Sequence, residues 1–171
     1  MELNRRGVRL AEGTASTFLN KILTTGDPES GDIRSPCSAG TSEIAYDVDG
    51  SVFPGDEARR IAAFGDPMFA LGDVRRLTIA DVVRHPTVRA IAAASLLDAQ
   101  PMCADCWNKP YCGFSPVSTY VREGDLFGQR PRCFECKEHM AVARTLFAVL
   151  GNDLDRETSE ILGRWTTGAG R

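Results

Sequence analysis

Residues 103–112 have the sequence CADCWNKPYC, which places three of the six cysteines of this 171-residue chain within ten positions. Cys133 and Cys136 follow about two dozen residues later. Two thiolates separated by two residues can turn onto one metal ion or one corner of an iron–sulfur cluster, and two further sulfurs complete a four-sulfur site. The sequence therefore predicts an inorganic centre in this half of the chain. The expected ligands are Cys103, Cys106, Cys112 and one of the two later cysteines.

The bulk composition is that of a folded chain with room for one hydrophobic core. Hydrophobic residues make up 43% of the sequence and charged residues 25%, a balance typical of globular proteins. A net charge of −3 gives no electrostatic reason to expect nucleic acid or an anionic membrane as partner. No run of eighteen apolar residues occurs, so no bilayer-spanning segment is predicted.

The redox compartment decides how the cysteines are used. Arg5, Arg6 and Arg9 lie near the start of the chain, but polar residues interrupt the stretch after them. No secretory signal is predicted, and we expect a cytoplasmic location. In a reducing cytosol, clustered thiols at ligand spacing favour metal binding over disulfide bonds.

Apolar periodicity and turn residues predict an α+β fold, in which a small β-hairpin and several helices pack around the cysteine loop. An amphipathic helix is expected over residues 6–24. A hairpin is expected over residues 44–53, with a type I′ turn at Asp49-Gly50. Further helices are predicted to start at Thr78 through a capping box with Asp81, at Pro86, and after Cys136.

The order of cysteines and glycines extends beyond the loop. Cys37 is followed by Gly50, then by C-x2-C-x5-C at residues 103–112, and then by Cys136 ahead of a predicted helix. In this order, and in the stretches RSPC, YDVDG and PYCG, residues 30–150 resemble the SPASM domain. That domain is the cluster-binding C-terminal extension of radical S-adenosylmethionine (SAM) enzymes that modify peptides and proteins. The closest resemblance is to the His-Xaa-Ser system radical maturases.

The resemblance implies a single [4Fe–4S] cluster. Family members hold two auxiliary clusters, but this chain has Gly55 and Ser115-Pro116 where the first set needs cysteines. Cys37 then lacks partner ligands and is expected to be a buried, hydrophobe-like thiol. The second set is complete, and its implied ligands are Cys103, Cys106, Cys112 and Cys136, with Cys133 as the alternative fourth ligand. A structural Zn²⁺ on the same cysteines remains the competing interpretation.

Asp56 is the one candidate catalytic residue. In sulfatase-maturing relatives, the aspartate at the corresponding place takes the substrate proton. This chain has no C-x3-C-x2-C motif, which the family uses to bind S-adenosylmethionine and start the radical. Capping of a short helix over residues 56–61 is therefore the role expected of Asp56.

The resemblance implies an accessory role for the chain. It is expected to bind a peptide or protein substrate, to relay electrons or position that substrate, and to depend on a separate radical SAM subunit for catalysis. A zinc-stapled peptide-binding module and an inactive maturase fragment are the alternatives. Residues 1–29 are expected to form an N-terminal helix that ends a missing catalytic domain, 30–150 the SPASM-like domain, and 151–171 a polar helix or tail.

Overall fold

The structure is a computed structural model that describes residues 1–25 and 33–168. It confirms the predicted α+β class, since the described residues form both helices and a small antiparallel sheet. The helices are α1 (Glu2–Arg5), α2 (Gly13–Leu23), α3 (Asp56–Ala63), α4 (Ile79–Arg84), α5 (Pro86–Ser95), α6 (Pro116–Glu123), α7 (Phe134–Leu150) and α8 (Arg156–Gly168). The strands are β1 (Ala45–Tyr46), β2 (Ser51–Phe53) and β3 (Gly72–Asp73). No described helix is both long and apolar enough to cross a membrane.

The chain divides into two compact units, one of residues 1–30 with 134–171 and one of residues 31–133. The two units are defined by packing within the chain and do not test the predicted domain boundaries, which stay predictions. The predicted end of the first helix, at residues 26–28, lies outside the described residues.

The unit of residues 1–30 and 134–171 is a helical assembly. Phe18 and Leu19 on α2 are fully buried, as are Ala143 on α7 and Ile161 on α8. The ring of Phe18 meets the ring of His139 edge to face, with centroids 5.4 Å apart. These apolar contacts hold α2 against α7 and α8.

The first helix is shorter than the sequence predicts. Residues 6–24 were expected to form one helix, but α2 begins only at Gly13. Gly7 adopts a left-handed conformation with φ +84° after α1, which breaks helical continuity. The Glu12 carboxylate then caps α2 by accepting hydrogen bonds from the backbone N–H groups of Thr14 (3.1 Å) and Ala15 (2.6 Å).

In the unit of residues 31–133, the hairpin is confirmed and its turn type is corrected. β1 pairs with β2, and Tyr46 stands opposite Val52. The Gly50 N–H bonds to the Asp47 carbonyl at 3.0 Å, so Gly50 ends the turn instead of occupying its centre. Gly50 alone in this turn has positive φ, +95°, whereas type I′ needs two such residues. β3 adds an unpredicted third strand, with Leu71 N–H bonded to Val52 O at 2.8 Å.

Local capping residues define where α4 and α5 begin. Thr78 and Asp81 form the predicted capping box of α4. Pro86 is the first residue of α5, as expected, and His85 Nδ1 accepts the Thr87 N–H at 3.3 Å. One core of this unit is formed by buried side chains from the sheet, from α3, α5 and α6 and from two loops, namely Cys37, Phe53, Ala58, Phe69, Ile91 and Val117.

Candidate metal centre

The cysteine loop begins where α5 gives way to a short 3₁₀ turn. The Gln100 carbonyl accepts hydrogen bonds from the backbone N–H groups of Cys103 (3.1 Å) and Ala104 (3.3 Å). Met102, just before them, has φ +65°, a left-handed conformation that non-glycine residues seldom adopt. The chain therefore cannot continue as a helix here, and Cys103 lies on a tight turn.

Successive turns carry the other two cysteines of the motif. Cys106 N–H bonds to the Cys103 carbonyl at 3.0 Å, which closes the two-residue spacing into one turn. Lys109 N–H then bonds to the Cys106 carbonyl at 3.0 Å, and Cys112 N–H to the Lys109 carbonyl at 3.2 Å. All three cysteines are half-buried. The loop thus presents its thiols from a run of turns, with no strand or α-helix between Cys103 and Cys112.

Gly113 fixes the end of this loop against an earlier segment. A Cβ atom built on Gly113 would lie 2.2 Å from the Arg34 backbone nitrogen and 2.5 Å from the Ile33 carbonyl carbon. Only glycine permits this approach of two backbones. The contact places the stretch that leads to Cys37 directly against the residue that follows Cys112.

Cys37 itself lies in the core. Its side chain is 3% exposed and packs with Phe53, Phe69 and Ile91. Its backbone N–H bonds to Ser95 Oγ at 3.0 Å. The burial of the Cys37 side chain confirms the expectation of a buried, hydrophobe-like thiol.

Cys103 interacts electrostatically with two other thiols and with one guanidinium. Burial raises the pKa of the Cys103 thiol, and the positive charge of Arg130 opposes that rise. The neighbouring sulfurs of Cys106 and Cys133 raise the same pKa further, because adjacent negative charges disfavour ionisation. Within the unit of residues 31–133, these three cysteines and Arg130 therefore form one electrostatic group.

The two possible fourth ligands lie in different surroundings. Cys133 is 3% exposed and is the last residue of the unit that contains the loop. Its backbone N–H bonds to the Gln129 carbonyl at 3.1 Å, and its sulfur accepts a hydrogen bond from Arg130. Cys136 is half-buried on the first turn of α7, in the helical unit. The predicted ligation by Cys136 stays a prediction.

The two positions at which the resemblance lacks cysteines border one cavity. Gly55 and Ser115 line a space of about 260 Å³ together with Glu43 and Glu57, and its lining includes no cysteine among the described residues. Glu43 Oε1 accepts the Asp56 N–H at 3.2 Å, and Glu57 Oε2 accepts the Ser115 hydroxyl at 2.7 Å. Carboxylate–hydroxyl and carboxylate–amide hydrogen bonds therefore connect the residues that line this space.

Asp56 does not cap its helix. The N-cap of α3 is Gly55, and Asp56 is the first helical residue. Its exposed carboxylate pairs with Arg59 at 2.6 Å. The capping prediction is wrong, and the negative charge instead stabilises α3 from within the first turn, where the helix dipole is positive. The role of Asp56 as a catalytic candidate stays a prediction.

Sequence reasoning missed Arg130 and Glu43. Arg130 lies in a loop before a proline, and its partners Phe114 and Thr119 are more than ten residues away. Glu43 precedes the hairpin and reaches Asp56 across thirteen residues. Neither has a local sequence signal, because both act through contacts that only the folded chain creates.

Comparison with known proteins supplies one similarity. No family model matches the chain, and no curated protein matches it. A solved structure of hexahistidine-tagged anSMEcpe with bound AdoMet, an anaerobic sulfatase-maturating enzyme, matches with a TM-score of 0.60 and 18% identity. The match covers 95% of this chain and 40% of that one, so the chain spans well under half of that protein's length. This chain therefore shares the fold of the part of that structure that it matches.

Proposed function

We propose that this chain is an accessory iron–sulfur domain of a peptide- or protein-modifying radical SAM system. It binds one [4Fe–4S] cluster and serves electron relay or substrate positioning. The fold similarity supports the choice of system. The observation that carries the proposal is the cysteine loop itself, in which three half-buried thiols lie on successive turns of one compact unit.

The donor set fits the cofactor. Thiolates are the ligands that both iron–sulfur clusters and structural zinc prefer. Two-residue spacing lets Cys103 and Cys106 turn onto one centre, and Arg130 supplies positive charge beside thiols that must ionise to bind. The proposed ligands are Cys103, Cys106, Cys112 and a fourth sulfur from Cys136, with Cys133 as the alternative.

Four protein ligands decide what the centre can do. A cluster held by four thiolates has no open coordination position, so it supplies electron transfer or a structural staple. The residues of this chain would then orient the cysteine loop, shield the cluster from part of the solvent and balance the negative charge of the cluster and its thiolates. The radical would come from a radical SAM domain outside residues 1–171, either in a separate subunit or elsewhere in a longer chain, since these residues contain no C-x3-C-x2-C motif.

Spectroscopy of protein purified without oxygen tests the proposal. We expect a brown protein that gives the electron paramagnetic resonance signal of a reduced [4Fe–4S] cluster after addition of dithionite. Cys103→Ser should abolish that signal, whereas Cys37→Ser, which alters a buried core thiol, should leave it. A colourless protein with one zinc per chain would instead favour a zinc-stapled peptide-binding module. Protein that binds neither metal would refute both functions.

A further inference from the structure

Three contacts hold the guanidinium of Arg130 in one orientation. Its Cζ lies 3.4 Å from the centre of the Phe114 ring. Nη2 donates to Thr119 Oγ1 at 3.3 Å, and Nη1 donates to the sulfur of Cys133. A planar guanidinium that stacks on a ring and donates along two directions has little freedom to rotate.

The supports of Arg130 are themselves rigid. Phe114 is 4% exposed and Thr119 is fully buried. The Thr119 hydroxyl donates to the Ser115 carbonyl at 3.0 Å, which fixes its proton and leaves its oxygen free to accept from Arg130. A cation on a buried aromatic face is stabilised by the ring quadrupole. The guanidinium is therefore placed before any metal binds.

Arg130 connects the end of the cysteine loop with the segment that follows α6. The ring on which its guanidinium stacks belongs to Phe114, two residues after Cys112. The sulfur to which it donates belongs to Cys133, in the later segment. One guanidinium therefore contacts both segments.

We propose that Arg130 is a positioning residue of the cysteine centre. It holds the sulfur of Cys133 at the end of the cysteine loop, where its guanidinium stacks on Phe114, and its charge compensates the thiolates of the bound centre. This inference rests on the proposed function. Net charge and hydrogen bonds to sulfur set the reduction potential of an iron–sulfur cluster. Removing a fixed positive charge disfavours the more negative, reduced form, so the potential should become more negative.

The test is the reduction potential of the cluster in anaerobically purified Arg130→Gln, measured by a dye-mediated redox titration. We expect a shift to more negative potential than in the wild type. Arg130→Lys, which keeps the charge and loses the planar fork, should shift less. The matched control is Arg132→Gln, which removes the same charge from an exposed side chain one residue before Cys133 and should leave the potential near the wild-type value.

The outcomes separate this inference from the function on which it rests. Wild-type protein without a cluster would refute the proposed function. Wild-type protein with a cluster, and an unchanged potential in Arg130→Gln, would overturn the role of Arg130 alone. An equal shift in Arg132→Gln would also overturn it. If Arg130→Gln loses the cluster altogether, retention of the cluster in Arg130→Lys supports the proposal. Loss of the cluster in both Arg130 variants, with retention in Arg132→Gln, would overturn the role of the charge. That result would show that Arg130 contributes by packing on Phe114.

Discussion

Replacing Gly113 by alanine should loosen the cysteine loop from the segment before Cys37. The new methyl carbon would lie 2.2 Å from the Arg34 nitrogen, 2.5 Å from the Ile33 carbonyl carbon and 2.6 Å from the Arg34 oxygen. Each is well inside the ordinary contact distance of about 3.4–4 Å. All three atoms belong to backbone, so no side-chain rotation relieves the overlap and one of the two segments must move.

The expected cost follows from that geometry. Overpacking in a closed site costs about 1–3 kcal/mol, and a clash with backbone atoms belongs at the upper end. For a chain of this size, about 3 kcal/mol lowers Tm by roughly 6–12 °C. Because Cys112 immediately precedes Gly113, displacement of the loop should also lower the metal content.

Thermal unfolding followed by circular dichroism, with metal analysis of the same samples, measures both effects. Gly163→Ala is the matched control, because a Cβ at Gly163 in α8 meets nothing within 4 Å and alanine stabilises a helix interior by about 0.5–1 kcal/mol. A Gly113→Ala protein with wild-type Tm and metal content would refute the claim that this contact shapes the loop.

Three other substitutions probe the core and the sheet. Cys37→Ser should destabilise the fold by about 1–3 kcal/mol, because it buries a hydroxyl in an apolar core, without loss of metal; metal loss would make Cys37 a ligand. Ile91→Ala, at a fully buried position, should cost about 2–5 kcal/mol in urea unfolding, and a cost below about 1 kcal/mol would contradict the assigned core. A hydrogen bond from Arg75 lowers the pKa of Asp73 from 3.8 to about 2. The ionised form therefore stabilises the fold above pH 3.8, and that stabilisation is lost as the pH falls through about 2. The difference in urea midpoint between the wild type and Asp73→Asn should shrink over this range, and a constant difference would argue against the pair.

Local signals predicted much of the fold. The capping box at Thr78, the first-turn proline at Pro86 and the turn glycine at Gly50 each determine structure within a few residues, so the sequence alone located the starts of α4 and α5 and the hairpin. The type of turn was missed because Gly50 acts at its end. β3 was missed because its two residues pair with β2 through contacts about twenty positions away, and so short a strand has no periodicity to detect.

The sequence indicates candidate ligands for the centre but not the residues that surround them. The spacing of Cys103, Cys106 and Cys112 is visible in the sequence, because ligand geometry constrains neighbouring positions. The surroundings arise from distant segments. Arg130 reaches the centre by stacking on Phe114, and Gly113 matters because the backbone of Arg34 passes beside it. Neither contact leaves a repeating pattern in the sequence.

The most direct test of the central claim is the iron, acid-labile sulfide and zinc content of the wild-type chain purified without oxygen. We expect about four iron and four sulfide per chain, falling to background when Cys103, Cys106 and Cys112 are replaced together by serine. Folded protein that carries zinc in place of iron, or that carries neither metal, would contradict the claim of a [4Fe–4S] cluster.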